Sequence, residues 1–309
     1  MHSRMNDRPD AAAALVARFR RQRPLRGGSL IITVFGDALA PRGGAITLGS
    51  LIGLMAPFGL TERLVRTSVA RLAADDWLDG RRLGRLSEYR LSATGRQRFS
   101  DATRRIYAGP ATQWGGRWTL VLMSGTSPAG RRRIRETLLW EGFGDLGAGV
   151  LAHPALTPRE TLAHLAAAGL ADAPVVLESR STTAAADRRL IEDGWDLREL
   201  ALRYARFIRQ FQPLLPLLRE PLAPATAFIV RTLLIHEYRK IHLRDPLLPP
   251  SLLPADWPGV LAYDVCRSVY EQVFRAAEQH LAALTTRLDG PLPAPEPALY
   301  RRFAGLSRT

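Results

Sequence analysis

Between Thr61 and Leu72 the apolar positions recur with the 3.6-residue period of a helix that buries one side. Leu64, Val65, Ser68, Val69 and Leu72 share one face. Arg63, Arg66, Thr67 and Ala70 share the other, with Arg71 at the flank. Thr61 is the expected N-cap, because its hydroxyl can accept a hydrogen bond from a free first-turn amide. Pro57 and Gly59 break the chain before it, after two apolar segments at Ser29 to Leu39 and Thr47 to Met55. Beyond the helix the period falls to two. Trp77 and Leu78 open an extended piece, Gly80 to Gly84 turn it, and Leu86 to Leu91 return with Tyr89 and Leu91 pointing inward. A further helix starts near Ala93.

From Gly115 the texture changes to alternating strands and helices. Strands are expected at 117–123, 145–152 and 174–178, and helices at 128–140 and from the Thr157 cap, with Pro158 in first position, to Ala168. Strand, helix, strand, helix, strand predicts a small ferredoxin-like α+β sandwich. From Leu190 the pattern is helical, with segments at 195–209, 223–243 and 260–288 separated by prolines. The expected domains are a flexible basic arm at 1–26, a winged helix-turn-helix at 27–112, a ferredoxin-like domain at 113–189, a helical domain at 190–290 and a poorly ordered tail at 291–309.

Charge points to a polyanionic partner. Of a net +14, residues 1–110 supply +10, from nineteen arginines against nine acids. Lys240 is the only lysine among 43 basic residues, so this chain prefers arginine everywhere. The weight therefore rests on where the arginines face. Thr61, Arg63, Arg66 and Thr67 are the candidate readers of double-stranded DNA, near the N-terminal end of the helix where major-groove readers touch bases. Arg71, Arg81, Arg82 and Arg85 are candidates for gripping backbone or minor groove.

The single Cys266 excludes an internal disulfide framework. No apolar run approaches the roughly 20 residues that span a bilayer, so no membrane partner is expected. The alanine run ending at Val16 is short for a signal peptide and charge follows it, which predicts a cytoplasmic protein. Ser124, Gly125 and Ser181 form no nucleophile elbow, and the glycines from Gly142 to Gly149 lack the lysine of a phosphate loop. No catalytic residue, cofactor or metal site is expected. His236, Glu237 and His242 do not match the HExxH spacing, which leaves a metal, a helix-pinning ion pair or a ligand pocket as readings of that block.

Three blocks of sequence, VRTSVARLAADDWL, RRLGRLSEYRLSATG and LIHEYRKIHLRDPLLPPSLLPADWPG, resemble the PaaX-type regulators, repressors of phenylacetate catabolism, over about Gly27 to Leu284. The resemblance implies an N-terminal winged helix, a central Cas2-like domain, a helical C-terminal domain, and a homodimer released from operator DNA by an aryl-acyl-CoA such as phenylacetyl-CoA. An aromatic acyl-CoA needs apolar walls for its ring and positive groups for its phosphates. Tyr204, Phe207, Tyr238 and Trp257 are candidate walls, and Arg203, Arg239 and Arg244 candidate charges, with His236 beside them. The rival readings are a DNA-independent acyl-CoA sensor or scaffold and a Cas2-like metal-dependent nuclease. Against the nuclease, TLVLMSGTSP has no acid where a Cas2-type enzyme would place its aspartate.

Overall fold

Thr47 and Thr61 each end a loop and start a helix. Their side chains accept from Ser50 N and Leu64 N, which caps α3 (Leu48–Met55) and α4 (Glu62–Ala74). Gly59, at φ 81°, closes the 3-10 turn after α3 in the left-handed region that favours glycine. The chain turns through 119° between Leu48–Phe58 and Glu62–Ala74. The computed structural model describes residues 7–21, 27–109, 113–170 and 174–306. They divide into two compact units, the first being Met1–Gly109, Phe207–Leu243 and Leu261–Thr309 and the second Pro110–Arg206 and Arg244–Val260.

In the first unit, α1 (Asp7–Arg20) and α2 (Gly27–Val34) precede β1 (Ala45–Thr47), and α2 widens into a π turn at Phe35–Leu39. Strands β2 (Leu78–Leu83) and β3 (Leu86–Leu91) form an antiparallel hairpin. Its register runs from Leu78 opposite Leu91 to Leu83 opposite Leu86, and β1 pairs with the far side of β3. The turn is thus narrower than expected, with only Gly84 and Arg85 between the strands. Gly84, at φ 59°, takes the first central position of the hairpin turn, where glycine is favoured. Helix α5 (Ala93–Tyr107) follows on a Ser92 cap. The core combines Leu30, Ile31, Leu51, Phe58, Val65 and Val69 with Phe228, Leu234 and Val273 from later in the chain.

Helices α10 (Pro224–His242) and α11 (Gly259–Leu284) carry that later contribution. Helix α10 packs against α1, α2 and α5 and is buried on nearly every side. The segments expected as separate domains at 27–112 and 190–290 therefore contribute to one compact unit: α10 and most of α11 fall in the same unit as α2 to α5. The expected arm is also corrected. Leu15, Val16 and Phe19 of α1 are buried, because they form one apolar stripe. Residues 1–6 and 22–26 of that arm lie outside the described residues. In the expected tail, a 3-10 segment at Pro297–Ala304 buries Leu299, Arg302 and Phe303, and residues 307–309 lie outside the described set.

The second unit holds a four-stranded antiparallel sheet of β4 (Trp118–Leu122), β5 (Gly144–Asp145), β6 (Val150–His153) and β7 (Val175–Ser179). Its order, β5-β6-β4-β7, with α6 (Pro128–Trp140) and α7 (Pro158–Ala167) as connections, is the ferredoxin-like arrangement. A hairpin, β5 and β6, replaces the single strand expected at 145–152. Thr157 and Glu160 form a complete capping box at α7. Ile134, Leu138 and Leu165 cover one sheet face with Val121 and Leu151. Ile191 of α8 (Ala184–Gly194), Leu248 and Leu252 cover Trp118 and Ala152 on the other. The proline-rich segment at 244–260, expected with the helical domain, thus belongs to this unit. Helix α9 (Leu197–Phe211) is shared between the units, changing at Arg206.

Candidate nucleic-acid interface

On α4, Val65, Ser68, Val69 and Leu72 are buried, while Arg63, Arg66, Thr67 and Arg71 are exposed. The exposed face is not uniform. The Arg66 side chain donates to Glu62 Oε1 through Nε at 2.8 Å and Nη2 at 2.7 Å. Glu62, absent from the sequence-based candidates, sets the direction of that guanidinium; its spacing of four residues was the available signal. Arg63 has no partner among the described residues. Thr67 donates its hydroxyl to Arg63 O at 2.9 Å, which leaves its oxygen lone pairs to accept. Thr61 is engaged in capping, with its oxygen 3.3 Å from Leu64 N. Arg71 lies 3.9 Å from Asp75 and is almost fully exposed.

In the hairpin, Arg82 donates to Gly84 O at 3.1 Å, Arg85 is exposed without a partner among the described residues, and Arg81 lies 3.7 Å from Asp289. Asp289 sits between β8 (Thr286–Arg287) and β9 (Gly290–Pro291), a small hairpin that follows α11. Thr286 Oγ1 lies 3.2 Å from Thr47 Oγ1 and 3.1 Å from Ser50 Oγ, at the start of α3. Leu288 N donates to Glu88 Oε1 at 2.8 Å. Glu88 is consequently buried, so the simple inward alternation expected for β3 is corrected: Leu91 faces the core, Tyr89 is half-buried, and Glu88 faces the C-terminal hairpin.

Behind this surface lies a buried polar hub. Asp37, in the π turn after α2, accepts from Arg231 Nε at 2.7 Å, Tyr107 Oη at 2.6 Å, Tyr270 Oη at 2.9 Å and Arg302 Nη1 at 3.0 Å. Glu278 accepts from Arg231 Nη1 at 2.5 Å and pairs with Arg42. Burial pushes the Asp37 carboxyl up, but the Arg231 and Arg302 charges together with the Tyr107 bond outweigh it and hold the group below its ordinary range. Burial drives the Tyr270 phenol well above its ordinary value in the same pocket, so it stays a neutral donor.

The eight candidate effector residues fall four to each unit. In the first unit, Phe207 and Tyr238 are core rings 5.4 Å apart. His236 Nδ1 lies 3.0 Å from Thr33 Oγ1, and Arg239 donates to Thr33 Oγ1 at 2.8 Å and Ser29 O at 2.7 Å. These two residues pin α10 to α2. Burial holds His236 far below its ordinary value, so it is neutral, and lowers Arg239 to about 10, which leaves it charged near neutrality. In the second unit, Tyr204 donates to Asp245 at 2.6 Å with its ring 5.9 Å from that of Trp257, Arg203 pairs with Glu199 at 2.6 Å, and Arg244 is exposed.

The second unit also contains a cavity of about 1170 Å³ that Trp257 lines together with Trp114 and Trp195. Asp187, Glu192, Asp193, Asp196 and Asp256 outnumber Arg188 and Arg198 around it. Aromatic walls suit a ring, whereas this charge balance does not suit phosphates. Among the described residues no group of three or more His, Cys, Asp or Glu side chains could hold a metal ion. No single helix among them is long and apolar enough to cross a membrane.

Comparison with known proteins covers nearly the whole chain. Residues 26–95 match the family of PaaX-like proteins, residues 111–191 the PaaX protein central Cas2-like domain, and residues 195–283 the PaaX-like protein C-terminal domain. The chain is 40% identical over 292 residues to the transcriptional repressor PaaX of Escherichia coli strain K12, covering 92% of each. It is also similar to the solved structure of an uncharacterized protein from Mycobacterium tuberculosis, at 23% identity and a TM-score of 0.47 over 74% of this chain and 89% of that one.

Proposed function

This chain belongs to the PaaX family of transcriptional repressors, and we propose that it represses an aromatic-compound catabolic operon by binding operator DNA through a winged helix-turn-helix formed by α2 to α4 and the β2–β3 hairpin. The observation that carries this reading is the outward face of α4, where Arg63, Arg66 and Thr67 are exposed beside a hairpin bearing Arg81, Arg82 and Arg85. The 119° turn into α4 lies within the range of helix-turn-helix pairs. In this arrangement α4 enters the major groove, with Arg66 held by Glu62 in a guanine-reading orientation, and the hairpin reaches the flanking backbone or minor groove. Two copies would read the half-sites of an imperfect palindrome, as dimeric readers do, and the protein would act in the cytoplasm.

Release is assigned to an aryl-acyl-CoA, phenylacetyl-CoA or a close relative. The tryptophan-lined cavity of the second unit supports an aromatic recognition element, and its acidic rim means that the phosphates of such a ligand must lie elsewhere. A ligand releases the repressor only by binding the DNA-incompetent form more tightly. The test is an equilibrium mobility shift on the protein's own upstream region at several salt concentrations, with and without phenylacetyl-CoA or free phenylacetate. Salt-sensitive binding that the thioester reverses supports the reading, whereas absence of a shift at low salt overturns it.

A further inference from the structure

The tip of the β2–β3 hairpin is apolar where a solvent-facing turn would be polar. Leu83 and Leu86 sit directly opposite each other at the last register pair, and their exposures are 57% and 58%. Among the described residues nothing crowds this turn: a Cβ added to Gly84 would meet no atom within 4 Å. The C-terminal hairpin contacts the same face of the wing at Arg81 and Glu88, and none of its bonds extends to the leucines. From Arg81 to Leu86 the tip carries three arginines and no acid. Two facing leucines framed by guanidinium groups suit a surface that is polyanionic at its edges and apolar in its interior. Duplex DNA offers both in the minor groove, between phosphate rims and deoxyribose walls, where apolar wedges are a recurrent device.

We propose that Leu83 and Leu86 form an apolar minor-groove contact of the wing, with Arg82 and Arg85 on the flanking phosphates. Gly84, lacking a side chain, lets the backbone of the turn approach the groove floor. Because such a contact reads groove width and step deformability rather than base edges, the wing adds shape selection to the sequence selection of α4. The proposal rests on the DNA-binding reading above.

The test compares the full chain with Leu83→Ser/Leu86→Ser, Leu83→Met/Leu86→Met and Arg82→Ala/Arg85→Ala variants on one upstream-region duplex. Affinity is titrated against salt and in the presence of distamycin as a minor-groove competitor. The serine pair is expected to bind on the order of tenfold more weakly with an unchanged salt slope. The methionine pair should keep near wild-type affinity, and distamycin should compete with the wild type more than with the serine pair. The arginine pair should instead flatten the salt slope by about 2. Serine variants that bind like wild type, or that lose self-association by sedimentation while each subunit keeps its DNA affinity, overturn the wedge and make the tip inert or a contact between copies. Failure of the wild type to bind any duplex is a separate result, which removes the DNA-binding reading itself.

Discussion

Asp37 takes hydrogen bonds from four side chains that lie 70, 194, 233 and 265 residues away in sequence. It is the point at which the first unit is tied together. Removing its charge takes away the ion pair of Arg302 and leaves Arg231 with Glu278 alone, and under-compensated buried charges are among the most destabilising changes known. Asp37→Asn is therefore expected to cost about 3–5 kcal/mol in urea unfolding, with no loss of helical content in whatever fraction remains folded. The buried His236 and His242 set a pH dependence of definite sign. Burial lowers His242 from 6.5 to about 4, so between those values the unfolded chain binds a proton that the folded chain refuses. Stability should thus be complete above pH 6.5 and fall as pH drops towards 4, by up to about 3 kcal/mol from this group. Urea midpoints at pH 7.5, 6 and 5 check the direction; a midpoint that rises on acidification contradicts it. Residues with local jobs were legible from sequence: Thr61 and Thr157 cap helices because the partner amide is three residues away. Asp37 was not, since an acid in an apolar run carries no sign of where its partners lie.

Among the elements, α4 and the β2–β3 hairpin were readable because each is built from a short-range period, and α4 exposes the face its helical wheel predicts. Three of the effector candidates lie where no short-range period marks an exposed face. His236, Tyr238 and Arg239 sit in a helix buried on nearly every side, and the polar groups of His236 and Arg239 meet α2. A helix with apolar residues on every face is a buried helix, and the first part of α10, PATAFIVRTLLI, carries that signal with Arg231 as its one charge. The C-terminal hairpin was not foreseen at all, being only two short strands, yet it links the end of α11 to the wing through Glu88 and to the start of α3 through Thr286. Glu88→Ala leaves the Leu288 amide without its acceptor and should cost about 1–3 kcal/mol. Hydrogen exchange at Leu288 should accelerate in that variant and remain slow in Glu88→Gln, which keeps an acceptor oxygen. Equal exchange in all three proteins would mean that the contact does not hold the wing.

At the scale of the molecule, the chain order of domains is not the order of its compact units. The ferredoxin-like segment was legible from its alternation, but nothing local shows that α10 and α11 return to complete the core begun by α2 to α5. A fragment of residues 27–112, which the sequence marks as a winged helix-turn-helix domain, lacks Phe228, Leu234, Val273 and the arginines that neutralise Asp37. It is expected to show no cooperative thermal transition, whereas the full chain does; a sharp melt of the fragment would contradict this account of the core. The same construction makes repression a property of the whole protein, because the helices supporting α2 lie far along the chain from the surface proposed to touch DNA. The most direct test of that surface is equilibrium binding of the upstream-region duplex by the wild type and by Arg63→Ala/Arg66→Ala. Both side chains are exposed on α4, so stability should be nearly unchanged. The double variant should lose on the order of 1–3 kcal/mol per base-reading arginine, with relaxed sequence discrimination. Unchanged affinity and unchanged discrimination would show that α4 is not the element that reads the operator.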